Sequence, residues 1–295
     1  MLMFAAACAA PPPTTDVVQQ TITGGEPTAV GAWSTVAWLD NGCSGVLIAP
    51  DIVVYAGHCG AQATRAWFGD AFDVVVTDDS APVTESSAAT PVDILECRVH
   101  PQSELASGTD VAFCWLVEPV LAARLIPPVA LGCAHEQLQP GVPLTLVGYG
   151  VDGSGLEALG TKRSITAEIG AIGREITVGD EERGPCSGDS GGPAFMSLSA
   201  SDGASEWVLA GILSSGVEGS RCSTGYYTDL SQVMTWLESE TGRDLTPCFD
   251  GVTWRPTERC LRAALDEHEL VVLGRRDGRA LALGGQEVGL SLIHI

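Results

Sequence analysis

Lysine is all but missing from this sequence. Among 295 residues there is one, Lys162, and 15 Lys+Arg stand against 37 Asp+Glu, for a net charge of -22. Nucleic acids and anionic membrane surfaces are gripped by clustered cations, so neither is expected as a partner. A stretch of roughly 18 apolar residues, the minimum for a membrane-spanning helix, is also absent. No two cysteines form a C-x-x-C pair, which argues against structural zinc; neither a metal nor a cofactor is expected. Long runs at helical spacing are scarce, whereas glycine (35) and proline (17) are plentiful. That balance favours many short strands joined by turns.

Cysteine is abundant. The ten lie at positions 8, 43, 59, 97, 114, 133, 186, 222, 248 and 260. Scattered cysteines of even number fit disulfides in an oxidising compartment, so an extracytoplasmic protein is expected. The start agrees: Met1-Leu2-Met3-Phe4-Ala5-Ala6-Ala7-Cys8 resembles the end of a bacterial lipoprotein signal, which makes Cys8 a candidate lipid anchor. At the other end, residues 290–295 resemble a translated sequencing-adaptor scar and carry no weight.

Three zones follow from composition. Residues 1–21 are small, polar and proline-rich, and read as a leader and propeptide. Residues 22–245 carry short apolar runs of strand character: Thr35–Leu39, Gly45–Ile48, Ile52–Tyr55, Asp73–Thr77, Val111–Val117, Val142–Val147, Ser164–Ile169, Trp207–Leu213 and Gly225–Thr228. A helix is expected over Leu230–Ser239, with Leu230, Val233, Met234 and Leu237 on one face. Residues 246–295 form a tail. Within 22–245 the runs fall into two successive all-β zones, residues 22–118 and 128–228, which predict two β-barrels or sandwiches.

The chemistry centres on Cys186-Ser187-Gly188-Asp189-Ser190-Gly191-Gly192-Pro193. A serine is a poor nucleophile unless a base takes its proton and donors await the oxyanion. The flanking glycines let backbone N–H groups come close to a substrate. Such a segment alone could be a plain turn. However, His58 follows the apolar run Ile52–Tyr55, and Asp110 opens the run Val111–Val117. In the order His, Asp, Ser they make a complete triad.

These residues resemble the chymotrypsin/trypsin-like serine proteases over roughly residues 22–240. Cys43-Ser44-Gly45 and Ala56-Gly57-His58-Cys59 are similar to the family's histidine block, with Gly57 where alanine is usual. Asp110-Val111-Ala112, Gly148-Tyr149-Gly150, Gly211-Ile212-Leu213-Ser214-Ser215-Gly216 and Gly225-Tyr226-Tyr227-Thr228 match further blocks, with Ser215 in place of tryptophan. Ile22-Thr23-Gly24-Gly25 is similar to the family's mature start. The resemblance implies two six-stranded antiparallel β-barrels with a C-terminal helix and the site between the barrels. It implies a monomer acting on protein or peptide substrates as a serine endopeptidase. Ser190 is the implied nucleophile, His58 the base and Asp110 the group that orients it. Gly188 and Ser190 supply the oxyanion donors, and Ser214, Ser215 and Gly216 form the substrate-pairing strand.

The resemblance further puts Gly184, six residues before Ser190, at the floor of the primary pocket, with Gly216 and Gly225 as walls. This predicts an uncharged pocket for apolar or small side chains, with Asp180, Glu181 and Glu182 off register and Arg183 and Arg221 read as surface. Ile22 and Asp189 are the implied activation pair. Residues 1–21 contain no Lys or Arg, so a trypsin-like activator cannot cut before Ile22. Cys43–Cys59 and Cys186–Cys222 resemble family bridges; Cys97–Cys114 and Cys248–Cys260 are the further pairs expected. Cys8 and Cys133 are left either to pair or to stay apart. The acids Asp70, Asp73, Asp78, Asp79 and Glu85 read as a solvated loop rather than a calcium site. Two rivals are kept: a catalytically silent binding module on the same scaffold, and an α/β-hydrolase, whose nucleophile motif Gly188–Gly192 also fits.

Overall fold

The computed structural model describes residues 25–77, 80–85, 89–120, 126–151, 159–180, 182–199, 205–217, 222–249, 254–256, 272–276 and 279–282. Cys8, Ile22, Glu181, Arg221 and Cys260 lie outside them, and with Cys260 the expected bridge from Cys248. The chain divides into two compact units, Met1–Leu245 and Thr246–Ile295.

In the first unit, after the short β1 (Glu26–Pro27), a closed barrel is built from β2 (Val36–Leu39), β3 (Cys43–Ala49), β4 (Ile52–Tyr55), β5 (Arg65–Phe68), β8 (Thr90–Val99) and β9 (Ala112–Leu116), in the order β2-β3-β4-β9-β8-β5. A hairpin of β6 (Asp73–Thr77) and β7 (Ser80–Glu85) stands outside it. The short helix α1 (Cys133–Glu136) leads to β10 (Pro143–Gly148), β11 (Arg163–Ile172), β12 (Glu175–Val178), β13 (Pro193–Ser199), β14 (Ser205–Gly216) and β15 (Gly225–Asp229). These run β11-β10-β13-β14-β15-β12 and close through β12 back onto β11, so the second barrel also has six strands, with β1 added at β11. All the barrel pairings are antiparallel. The all-β expectation holds, and among the described residues there is no parallel sheet of the kind an α/β-hydrolase requires.

Residue character explains the strands. β2, β3 and β4 are buried along their whole length, as expected for apolar runs covered on both faces. β11 alternates, with Ile165, Ala167 and Ile169 inward, the period-2 signature of a half-buried strand. Helix α2 (Leu230–Thr241) starts where the Asp229 side chain accepts from the Ser231 N–H, and ends at Gly242 in a left-handed conformation (φ 67°), the favoured cap at each end. Its buried face is Leu230, Val233, Met234 and Leu237. Trp236 packs edge-on against Phe113 of the first barrel, 5.4 Å between centroids.

The barrels share a core. Trp33 stacks on Phe195 at 4.7 Å and meets Trp207 edge-on at 4.9 Å. The Tyr149 hydroxyl, fully buried, bonds the carbonyls of Val36 (3.0 Å) and Gly69 (2.8 Å). The single lysine is buried too: Lys162 is 1% exposed, with Nζ 3.3 Å from Asp70 Oδ1 and 3.4 Å from the Trp33 carbonyl. Burial lowers its pKa, and the Asp70 charge opposes that. Three disulfides occur among the described residues: Cys43–Cys59, Cys97–Cys114 and Cys186–Cys222. In the second unit, β16 (Pro247–Phe249) pairs β17 (Trp254–Pro256), and β18 (Val272–Arg276) pairs β19 (Arg279–Ala282).

Phe195 is fully buried and stacked. Phe195→Ala should therefore destabilise the first unit by about 3–5 kcal/mol, measured as a lowered denaturant midpoint.

Candidate active site

The chain leaves β4 at Tyr55 and turns through a 3-10 segment, Gly57–Cys59, that carries His58. A Cβ on Gly57 would collide with Ser103 Oγ and lie 2.9 Å from the Val111 carbonyl. The glycine found in place of the usual alanine thus makes room for a serine. Ser103 uses that room to donate to Asp110 Oδ1 at 3.1 Å.

Asp110 is completely buried. Its carboxylate accepts four hydrogen bonds: from His58 N (2.7 Å) and Ser103 Oγ at Oδ1, and from His58 Nδ1 (2.7 Å) and Ser214 Oγ (2.9 Å) at Oδ2. Burial pushes its pKa up, but the His58 and Ser214 bonds outweigh that and hold it below the ordinary aspartate value. An ionised Asp110 requires the proton on Nδ1, which leaves the His58 Nε2 lone pair free. The His58 side chain is 30% exposed, so the ring is within reach of solvent.

Ser190 sits on a turn pinned by both barrels. Its carbonyl accepts from the Ser44 N–H of β3 (2.8 Å), and the next N–H, of Gly191, donates to the Leu213 carbonyl of β14 (2.8 Å). Gly191 has φ 79°, and a Cβ there would collide with the Ser44 carbonyl and lie 2.9 Å from Ala56 N. Only glycine combines that angle with that approach. The serine turn therefore packs against the end of β4, where the His58 turn begins. His58 Nε2 stands 3.8 Å from Cys59 Sγ, and no hydrogen bond joins it to Ser190 among the described residues. Serine–histidine bonds in free enzymes are often long and tighten on substrate.

Within the same turn the N–H of Asp189 donates to Cys186 and that of Gly192 to Asp189. The N–H groups of Gly188 and Ser190 donate to no acceptor among the described residues. Gly188 is held at φ 93°, its carbonyl bonded by Ser44 Oγ (3.2 Å). The Asp189 side chain turns inward and accepts from Gly150 N (2.7 Å) and Cys186 N (2.8 Å). Burial raises its pKa to about 6, against the lowering effect of those two N–H groups and of Arg163.

The expected pocket residues lie together. Gly184 is buried against Ser223, whose carbonyl occupies the place a Cβ would need. Pro185 fills the corresponding place at Gly225. Asp180 is exposed and bent into its own turn, accepting from the N–H groups of Glu182 (2.8 Å) and Arg183 (2.9 Å). Ser215 and Gly216 pair with Tyr226 and Gly225 on one side, while β13 stops pairing at Ile212. No strand pairs with the other edge of Ser214–Gly216 among the described residues. One triplet of metal-ligand types occurs among the described residues, Cys43, His58 and Cys59; its sulfurs are spent in a disulfide and offer no thiolate.

A family model described as Trypsin matches residues 22–237. The chain belongs to the trypsin family. This trypsin-family chain is 24% identical over 253 residues to phenoloxidase-activating factor 3 of Holotrichia diomphalia, covering 74% of the chain and 71% of that protein. It is 26% identical over 240 residues to kallikrein-10 of Homo sapiens, covering 72% and 80%. Against vitamin K-dependent protein C of Mus musculus it is 25% identical over 233 residues, covering 68% of the chain but 46% of that longer protein.

The sequence points to His58, Asp110 and Ser190, and to Ser214 only as a strand residue; the bond from Ser214 to Asp110 is visible in the fold alone. Ser103, which donates to Asp110, carries no signal in the sequence that would mark it. Gly191→Ala should destabilise the protein by about 1–3 kcal/mol from backbone strain alone, and by more from the collision with Ser44. Thermal melting of the variant beside wild type checks this.

Proposed function

We propose that the chain is a serine endopeptidase working through His58, Asp110 and Ser190. One observation carries the reading: a fully buried, ionised Asp110 grips His58 through both its main-chain N and its Nδ1. This grip orients the ring and stabilises the imidazolium that forms when Nε2 takes a proton. Ser190 Oγ attacks the carbonyl carbon of the scissile peptide and gives its proton to His58 Nε2. The developing oxyanion is received by the N–H groups of Gly188 and Ser190, which donate to no other acceptor among the described residues. The imidazolium protonates the leaving amine, and a water activated by the same histidine hydrolyses the acyl-enzyme. The other edge of Ser214–Gly216 takes the substrate as an added strand.

The primary pocket is non-tryptic in this reading. Its floor, Gly184, has no carboxylate and no room for one, so apolar or small side chains are preferred over Lys and Arg. Ser190→Ala should abolish labelling by a fluorophosphonate probe while leaving the thermal melt unchanged. Absence of labelling in wild type as well would favour the silent binding module. On a reporter panel, cleavage confined to Lys and Arg would overturn the pocket assignment.

Activation follows from Asp189. Its ordinary pKa is 3.8 and its folded one about 6. Between about pH 4 and pH 6 the folded state then binds more protons than the unfolded chain, so stability falls as pH rises through that window, by on the order of 3 kcal/mol. A cut after Thr21 frees the Ile22 amine to pair with this carboxylate. Urea midpoints measured from pH 4 to pH 7 should fall for the uncut chain and stay level for a chain starting at Ile22 and for Asp189→Asn. An extracytoplasmic location and a lipid at Cys8 belong to the same proposal; detergent phase partitioning of wild type and Cys8→Ser tests the anchor.

A further inference from the structure

Asp110 lies just beyond a loop, residues 100–109, that runs from β8 towards β9. The loop is laced to itself. The His100 N–H donates to the Val111 carbonyl (2.9 Å) and the Ser103 N–H to the His100 carbonyl (2.8 Å). Thr109 Oγ1 donates to the Gln102 carbonyl (2.7 Å), and Ser107 Oγ to that of Glu104 (2.6 Å). The loop also packs onto the start of β12, where a Cβ on Gly108 (φ 78°) would lie 2.5 Å from the Arg174 carbonyl. Held this way, the loop presents one hydroxyl to the triad: Ser103 Oγ, 3.1 Å from Asp110 Oδ1. An ionised carboxylate only accepts, so the serine proton lies on this bond.

The bond completes a matched set. Oδ1 takes the His58 main-chain N–H and Ser103 Oγ; Oδ2 takes His58 Nδ1 and Ser214 Oγ. Each oxygen is held once by the histidine and once by a serine of another element. Without Ser103, Oδ1 would keep the His58 N–H alone. Room for the hydroxyl comes from residue 57. A side chain on Gly57 would take the place of Ser103 Oγ, and its Cβ would lie 2.9 Å from both Ser103 Cβ and the Val111 carbonyl. Gly57 is buried and its φ is not left-handed. No turn therefore calls for a glycine there; the crowding does, with the serine hydroxyl first.

We propose that Ser103 is a positioning residue for the triad and Gly57 the gap that admits it: the hydroxyl holds Asp110 Oδ1 while Oδ2 binds His58 Nδ1, so the carboxylate cannot turn away from the ring. The same donor offsets part of the Asp110 charge. With it gone, the carboxylate attracts the imidazolium more strongly, and the pH at which His58 takes its second proton moves up. The titratable groups on the elements around Asp110 are few. His58 is one. Glu175 of β12, 8% exposed, stands opposite Thr228, whose Oγ1 donates to the Asp110 carbonyl at 3.2 Å. Asp229 of β15 turns to His135, His100 packs on Trp236, and Glu104 is exposed. All of these are shared by wild type and variants and drop out of a difference between them.

The inference rests on the endopeptidase reading for its kinetic arm only. The full chain is compared as wild type, Ser103→Ala, Gly57→Ala and the double variant, by kcat/KM against pH on a peptide reporter and by the low-field proton resonance of His58 Nδ1. Ser103→Ala should lose about fivefold at the plateau, well short of the loss of a proton-transfer group. Its acid limb and its resonance midpoint should both move up, by about half a pH unit. Gly57→Ala, which keeps the serine but evicts its hydroxyl, should show the same upward move. The double variant should move no further, since one bond is lost in all three. A resonance midpoint unchanged in Ser103→Ala, with or without a lowered thermal melt, would overturn the proposal; so would moves that add in the double variant. If the Gly57 variants do not fold, Ser103→Ala decides by its midpoint. The resonance needs no substrate, so an inactive wild type would sink the endopeptidase reading and leave this one still decided.

Discussion

A carboxylate sealed from water must be held from every side, and Asp110 is that carboxylate. An uncompensated buried charge of this kind is penalised by several kcal/mol, so the fold around it is constrained to deliver donors. It draws them from the histidine turn, from Ser103 and from β14 of the other barrel, while its own carbonyl is tied to β15. Both barrels thus converge on one side chain. His58 owes its orientation to this convergence, and Ser214 owes its place to it as much as to substrate.

Ser44 does for the serine turn what Asp110 does for the histidine. Buried in β3, it bonds the Ser190 carbonyl through its N–H, the Gly188 carbonyl through its hydroxyl, and the Tyr149 N–H through the same oxygen. The glycines at 191 and 192 allow the two backbones to meet at this point. The N–H groups in the same two peptide planes, of Asp189 and Gly191, are engaged as well, by the carbonyls of Cys186 and Leu213. The serine turn is thus fixed on both sides of each plane.

What could be read beforehand follows burial. Strands buried on both faces, such as β4, or alternating cleanly, such as β11, were legible as apolar runs. β8 was not, because it is largely exposed and reads Thr-Pro-Val-Asp-Ile-Leu-Glu-Cys-Arg-Val; it is held by pairing with β5 and β9. β5 has four residues and opens on arginine, β12 opens on a charge, and β13 follows the serine turn with no break in composition. The triad was legible from ordered blocks. Ser103 was not, since a serine in a polar loop carries no local signal, although the glycine at 57 was its complement in space. Glu175 reads as a surface acid until the Asp110 loop is folded over it.

Burial of Lys162 sets how this molecule meets reagents. Its one side-chain ammonium is locked against Asp70 and the Trp33 carbonyl, so acylating or cross-linking chemistry aimed at ε-amines finds no foothold on the folded surface. Modification at that position would register opening of the chain between β1 and β11, which makes the lone lysine a built-in reporter of local unfolding rather than a point of attachment.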